Sequence, residues 1–186
     1  EFIESRSKLQ HDKLSQFFNS LYQGNWTEGT DDGITQPTIH DLLDDAAELL
    51  AERKSSVFYD EARGDAAWNL CKTGKKGINY LLHDIVRAVL AYGNSGGGYV
   101  IVGASDEGSI VGLDNDIRII SEKYDTNKDG AKDKITLQIT QELINCYQKF
   151  VKNCVKVKWY EVDGKDIIQI KIRGSNEAVL HKKYPK

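Results

Sequence analysis

Apolar residues recur every three or four positions in four stretches of the chain. In residues 8–22, KLQHDKLSQFFNSLY, the stripe is Leu9, Leu14, Phe17, Phe18 and Leu21. In residues 38–54 it is Ile39, Leu42, Leu43, Ala46, Leu49 and Leu50, with acids on the other side. Residues 78–94 give Ile78, Leu81, Leu82, Ile85, Val86, Val89 and Tyr92, and residues 134–151 give Ile135, Ile139, Leu143, Tyr147 and Phe150. Each spacing predicts an amphipathic helix. Thr38 followed by Asp41 supplies a start signal for the second helix, close to a capping box. The glycines after Asn94 supply a stop for the third. The Gly/Asp/Thr-rich residues 23–37 read as a loop.

Strand signals lie between and after these helices. Residues 66–71 suggest a short strand, followed by a basic turn over 72–77. YVIVGA is a short apolar strand, DEGS a turn, and IVGL a further strand. The clearest signal is VKVKWYEVDGKDIIQIKIR, residues 155–173, whose Asp163-Gly164 pair favours a two-residue hairpin loop. That loop sets the register. Glu161 faces Asp166, Trp159 faces Ile168, Val157 faces Ile170, and Val155 faces Ile172. The last three pairs make an apolar face. The other face carries Lys156 opposite Lys171, with Lys158, Tyr160 and Arg173 nearby. The order of elements predicts an α+β fold with a mixed or antiparallel sheet and packed helices. Residues 1–56 are expected to form an acidic helical extension, and residues 57–186 the domain proper.

Length and composition fit this reading. The 186 residues are 40% hydrophobic and 28% charged, which is globular usage. No apolar run approaches the ~18 residues of a membrane span, and no signal peptide is visible at the start, so a cytoplasmic protein is expected. The chain contains no Met and reads as a piece of a larger protein. Cys71, Cys146 and Cys154 are widely spaced, which favours reduced thiols over a disulfide or zinc framework. The net charge is −3 but unevenly spread. Residues 1–60 hold 5 basic and 12 acidic residues, and the remainder holds 20 and 16. Only the second part suits a polyanionic partner.

Two apparent motifs fail on chemistry. GNSGGGYVIVG follows a helix and precedes a strand, the reverse of a phosphate-binding loop, and it has no Gly-Lys-Ser/Thr. Its glycines read as a helix cap that permits close backbone approach. DTNKDGAKDKIT, residues 125–136, starts like a calcium loop. It places Lys132 at the apolar eighth position and Thr136 where the bidentate Glu belongs. The four histidines are scattered. No metal site is expected from the residues.

The opposed Lys156 and Lys171 are the best physical pointer to a ligand. Like charges directly across a sheet cost stability, and an anion relieves that cost. Tyr160 on the same face is placed to stack on a base or sugar.

AYGNSGGGYVIVG followed by ASDEGSIVGL resembles the core of the Schlafen AlbA-type domain. The matching positions are Ala91, Tyr92, Asn94, Ser95, Gly97, Gly98, Gly103, Asp106, Gly108, Ile110 and Gly112, with Gly93 in place of a second Ala. The resemblance covers about Asp60–Lys186. It implies nucleic-acid binding, DNA or RNA, through Lys72, Asn94, Lys156, Lys158, Tyr160, Lys171 and Arg173. In some relatives it also implies metal-dependent RNA cleavage by clustered carboxylates following a Glu-x-x-x-x-Glu-Phe-Lys pattern. Aligned on Lys72, this chain reads DAAWNLCK, with Asp65 at the first acid and Leu70 at the second. Asp106 would supply a third. Loss of a central carboxylate weakens Mg²⁺ or Mn²⁺ binding, so the expectation is a non-catalytic module without a cofactor. A nuclease using Asp65 and Asp106 with Mg²⁺ or Mn²⁺ is the second reading. The third is a protein-interaction or oligomerisation module that uses the N-terminal helices.

Overall fold

A computed structural model describes residues 37–44, 50–69, 79–175 and 178–179. The helix expected over residues 8–22 and the basic turn with Lys72 lie outside them. The elements in chain order are α1 (Ile39–Leu43), β1 (Ala51–Lys54), β2 (Tyr59–Asp60), β3 (Asp65–Ala66), α2 (Tyr80–Asn94) and β4 (Gly97–Val102). They continue with α3 (Asp114–Tyr124), α4 (Lys128–Cys154), β5 (Val155–Val162) and β6 (Lys165–Arg173). The main sheet has the order β1-β4-β6-β5. β1 runs parallel to β4, and the β4–β6 and β5–β6 pairs are antiparallel. β2 and β3 form a separate two-stranded ribbon. This is the mixed-sheet α+β architecture that the pattern predicted.

The hairpin has the expected register throughout, including Lys156 opposite Lys171. Asp163 takes φ 51° and Gly164 φ 73°, the paired left-handed conformations that a type I′ loop requires. The apolar face of the sheet, Val100, Val102, Ile168, Ile170 and Ile172, packs on α2, α3 and α4. Ile85, Val86 and Val89, Ile117 and Ile120, and Ile135, Ile139 and Leu143 are their buried contributions. Three polar ties fix the hairpin to α4. Lys128 and Lys132 approach the buried Asp166 carboxylate at 2.8 and 2.6 Å, and Trp159 Nε1 donates to Thr136 Oγ1 at 2.9 Å.

Several expectations are corrected. The capping box forms, with Thr38 and Asp41 bonded reciprocally, but the helix it starts ends at Leu43. Ala51–Lys54 is not the last turn of a helix over 38–54. It is a strand of the main sheet, with Ala51 and Arg53 buried on one side. The parallel ladder with β4 replaces helical bonds there, and period-two burial overrides a 3.6-residue stripe. This strand lies on the N-terminal side of the expected boundary at 56. Of the strand expected over 66–71, Ala66 pairs within Asp65–Ala66 and Ala67–Asn69 form a 3₁₀ turn, while residues 70–71 lie outside the described residues. The strand expected at Ile110–Leu113 is a single bridge, Ala104 to Ile110. Beyond it, the Val111 and Gly112 N–H groups both donate to Gly103 O. Helix α4 starts earlier than residue 134, at Lys128, where Asn127 caps it by accepting from Gly130 N. The calcium-like stretch is thus mostly helix.

The glycine run is packing punctuation. A Cβ on Gly97 (φ +116°) would lie 2.7 Å from Ile172 O, and one on Gly174 2.7 Å from Gly96 backbone atoms. The two backbones meet where β4 begins and β6 ends, and neither has room for a side chain.

Candidate nucleic-acid interface

The second face of the sheet divides into two parts. One half is apolar and covered: Tyr99, Ile101 and Ile167 pack with Leu42 of α1, Leu50 and Ala104, with Tyr160 at the margin. The other half is basic. In register across the strands, Tyr99 neighbours Lys171, which neighbours Lys156. One row on, Ile101 neighbours Gln169, which neighbours Lys158. Arg173 sits at the end of the same face, opposite Gly97. Alternation along β5 and β6 therefore projects Lys156, Lys158, Lys171 and Arg173 from one side of an edge hairpin.

Lys156 and Lys158 are exposed, whereas Lys171 is half-buried. Burial, and then the charges of Lys156 and Lys158, push the Lys171 ammonium down to about 8 from 10.5. Desolvation and like charge both disfavour the protonated form. The other members of the expected set differ. Tyr160 is not an open stacking platform: its ring packs against the covered apolar cluster and its hydroxyl donates to Gln169 at 3.3 Å. Arg173 donates to Asn153 O at 3.0 Å, which ties the end of β6 to the end of α4. Asn94 lies away from this face. Its amide donates to Val179 O at 2.9 Å and accepts from Val179 N at 2.8 Å, holding residue 179 against the end of α2. Lys72 is outside the described residues.

The two acids expected for a nuclease sit in different local frames. Asp65 Oδ1 accepts from Ala66 N and Asn69 Nδ2 in the small ribbon. Asp106 lies exposed in the turn after β4, and its carbonyl accepts from Arg53 at 2.9 Å. Among the described residues, no group of three or more His, Cys, Asp or Glu side chains could hold a metal ion. Leu70, at the second acid position, lies outside them.

Sequence reasoning missed three polar centres. Arg53, buried to 4% exposure, bonds the carbonyls of Asp44 and Asp106 and so clamps α1 to the 105–109 turn. Asp116, 1% exposed, accepts from Ser56 Oγ, Val57 N (3.0 Å) and Phe58 N (2.6 Å), and this fixes the loop between β1 and β2. Burial pushes its carboxyl up to about 6 against the pull of those donors. In the ribbon, Asp60 bonds both Tyr80 and Arg63. The Tyr80 hydroxyl is the main cause that lowers the Asp60 carboxyl. Only Arg53 carried a sequence signal, as the alternate partner of Ala51 in AERK.

A groove of about 910 Å³ runs between β1 and α2, lined by Glu52, Lys54, Asp84, Arg87, Tyr92 and others. Its charges are mutually paired, Lys54 with Glu52 at 2.6 Å and Arg87 with Asp84 at 3.5 Å. It therefore presents no net field to an anion.

A family model described as Schlafen, AlbA_2 matches residues 52–186. No curated protein matches the chain. Among solved structures, the crystal structure of the DIP2311 protein from Corynebacterium diphtheriae aligns at 16% identity with a TM-score of 0.43. That alignment covers 96% of this chain and 28% of the other, so the chain spans under a third of that protein's length. Among the described residues, no helix is long and apolar enough to cross a membrane.

Proposed function

The chain belongs to the Schlafen, AlbA_2 family, and from that premise we propose that it is a non-catalytic nucleic-acid-binding module that grips phosphates with Lys156, Lys158 and Lys171. The observation that carries this reading is the like-charged pair across the β5–β6 hairpin. Lys171 faces Lys156 directly, half-buried, with its ammonium pushed down to about 8. Like charges directly opposite on a sheet repel one another. A phosphate backbone bridging the two ammonium groups offsets both the repulsion and the desolvation. Because these contacts meet phosphates and not base edges, the binding is electrostatic and insensitive to sequence.

Fluorescence anisotropy with labelled single- and double-stranded DNA and RNA tests this reading. Three phosphate contacts on duplex DNA give a slope of log K against log salt of about −2.7, or roughly 40-fold weaker binding between about 50 and about 200 mM salt. Lys156→Ala with Lys158→Ala should weaken binding and flatten that slope. Affinity indifferent to salt, or unchanged in the double variant, refutes the reading. With Mn²⁺ present the oligonucleotide should remain intact on a denaturing gel, and cleavage that Asp106→Ala abolishes would establish the nuclease instead.

A further inference from the structure

The turn that sets the hairpin register has a chemistry of its own. In an Asp-Gly pair the glycine amide nitrogen is the nearest nucleophile to the preceding side-chain carboxyl, and no Cβ shields it. The described residues hold this pair at Asp163-Gly164 and at Asp129-Gly130. The fold treats the two in opposite ways. Asp163 and Gly164 are both exposed at the tip of the β5–β6 hairpin, and beyond its chain neighbours nothing lies within 4 Å of where a Gly164 Cβ would stand. The loop closes through the Val162–Lys165 pair, which leaves the Gly164 N–H outside the ladder. Asp163 is held at φ 51°, a left-handed conformation that disfavours any residue with a Cβ, so opening of the tip relieves strain. Asp129 and Gly130 lie instead in the first turn of α4. There Gly130 N donates to Asn127 Oδ1 at 2.8 Å, and Thr126 and Asn127 crowd the glycine. That nitrogen is freed only by giving up the helix cap.

We propose that Asp163-Gly164 is a site of spontaneous covalent modification, at which the folded protein converts Asp163 to isoaspartate while Asp129 is protected. When the tip opens, the Gly164 nitrogen gives up its proton and bonds to Asp163 Cγ. The Cγ–OH bond breaks, and the hydroxyl and the proton leave as water. Water then opens the cyclic imide at either carbonyl. Attack at Cγ restores aspartate. Attack at the Asp163 main-chain carbonyl leaves the chain running through Cβ and Cγ, with a free α-carboxylate. Water is lost and regained, nothing is oxidised or reduced, and no other reactant is needed. The product carries an extra methylene in the main chain between Val162 and Lys165, the pair that closes the loop. The next residue is Asp166, whose buried carboxylate is held by Lys128 and Lys132. The modification thus strikes the turn on which the hairpin register depends. It is independent of what the basic face binds.

Timed incubation of the full chain in mildly acidic buffer, folded and in urea, tests this. Each sample is then denatured, labelled with an isoaspartyl carboxyl methyltransferase and radioactive methyl donor, and mapped by peptide. The urea-unfolded chain supplies the reference rate at each site. In the folded protein, the label in the peptide holding Asp163 should rise several-fold faster, relative to that reference, than the label in the peptide holding Asp129. The variant Asp163→Gly keeps a residue suited to the left-handed turn and removes the carboxyl, so its peptide should stay unlabelled. Folding that protects Asp163 as fully as Asp129 overturns the proposal, because the hairpin tip then does not open. Equal labelling of both sites in the folded protein also overturns it, because the dipeptide alone then decides. Label that persists in the Asp163→Gly peptide places the reaction on another residue and overturns the assignment.

Discussion

Lys171→Met should make the protein more stable and a poorer ligand binder at once. The substitution keeps the aliphatic stem that fills the half-buried site beside Tyr99 and removes the ammonium. A depression from 10.5 to about 8 corresponds to roughly 3 kcal/mol at 1.36 kcal/mol per decade. Because the side chain remains half in water, screening reduces this to ~1 kcal/mol. For a domain of this size that raises Tm by about 2–4 °C at pH 7.

The pH dependence has a definite sign. Below pH 8 both the folded and unfolded chains carry the ammonium, and the folded state bears the whole penalty. Between pH 8 and 10.5 the unfolded chain still holds the proton that the folded chain has released. Wild-type stability attributable to this group therefore rises with pH through that window. Urea titrations of wild type and Lys171→Met at pH 7 and at about pH 10 measure the difference directly. The variant should lead at pH 7, and the gap should close at the higher pH. Its salt slope on duplex DNA should fall by about 0.9, one phosphate contact. A variant less stable than wild type at pH 7, or one with an unchanged salt slope, refutes the argument that this lysine is held at a cost for a ligand.

Asp116→Ala leaves Ser56 Oγ and the Val57 and Phe58 N–H groups without their buried acceptor and should cost about 3–5 kcal/mol, read from urea midpoints. The raised Asp116 carboxyl also makes a stability contribution that is full below pH 4 and is lost as pH rises through about 6, so Asp116→Asn should abolish that slope. Gly97→Ala places a Cβ 2.7 Å from Ile172 O at φ +116° and should cost about 2–4 kcal/mol in the same assay. Asn94→Ala loses two bonds to Val179 and should cost about 1–2 kcal/mol, with earlier amide exchange at Val179 and no change in oligonucleotide affinity.

The parts of this fold legible in the sequence are those that local chemistry specifies. Asp163-Gly164 fixed the turn, the turn fixed the register, and the register put Lys156 opposite Lys171. Helix α2 was legible because its apolar stripe and its glycine stop agree. Three features were hidden because tertiary contacts decide them. Ala51–Lys54 continues a helical stripe and becomes a strand only because β4 offers a parallel edge. Helix α3 has no side-chain cap and only two buried isoleucines to mark it, Ile117 and Ile120. The cover of Ile101 and Ile167 by α1 and the 103–113 loop rests on Arg53, whose two carbonyl partners are 9 and 53 residues away. The sequence pattern made the second face basic with Tyr160 open on it for the same reason: it could not show that Tyr160 and Ile167 belong to a second core.

This division of one face into a covered half and a charged half bears on what the lysines are for. Solvated lysines on an edge hairpin need no ligand to explain them, since they also protect the edge from pairing with other strands. Lys156 and Lys158 fit that bland account, being exposed on the edge strand β5. Lys171 does not fit it. It lies on β6, between β4 and β5, where pairing on both sides already removes the edge. An internal strand facing Tyr99 on one flank and a lysine on the other would normally carry an apolar residue or threonine. Edge protection does not account for a half-buried charge there, and the phosphate reading gives it a role beside Lys156. The functional reading therefore stands or falls on Lys171 more than on any exposed lysine around it.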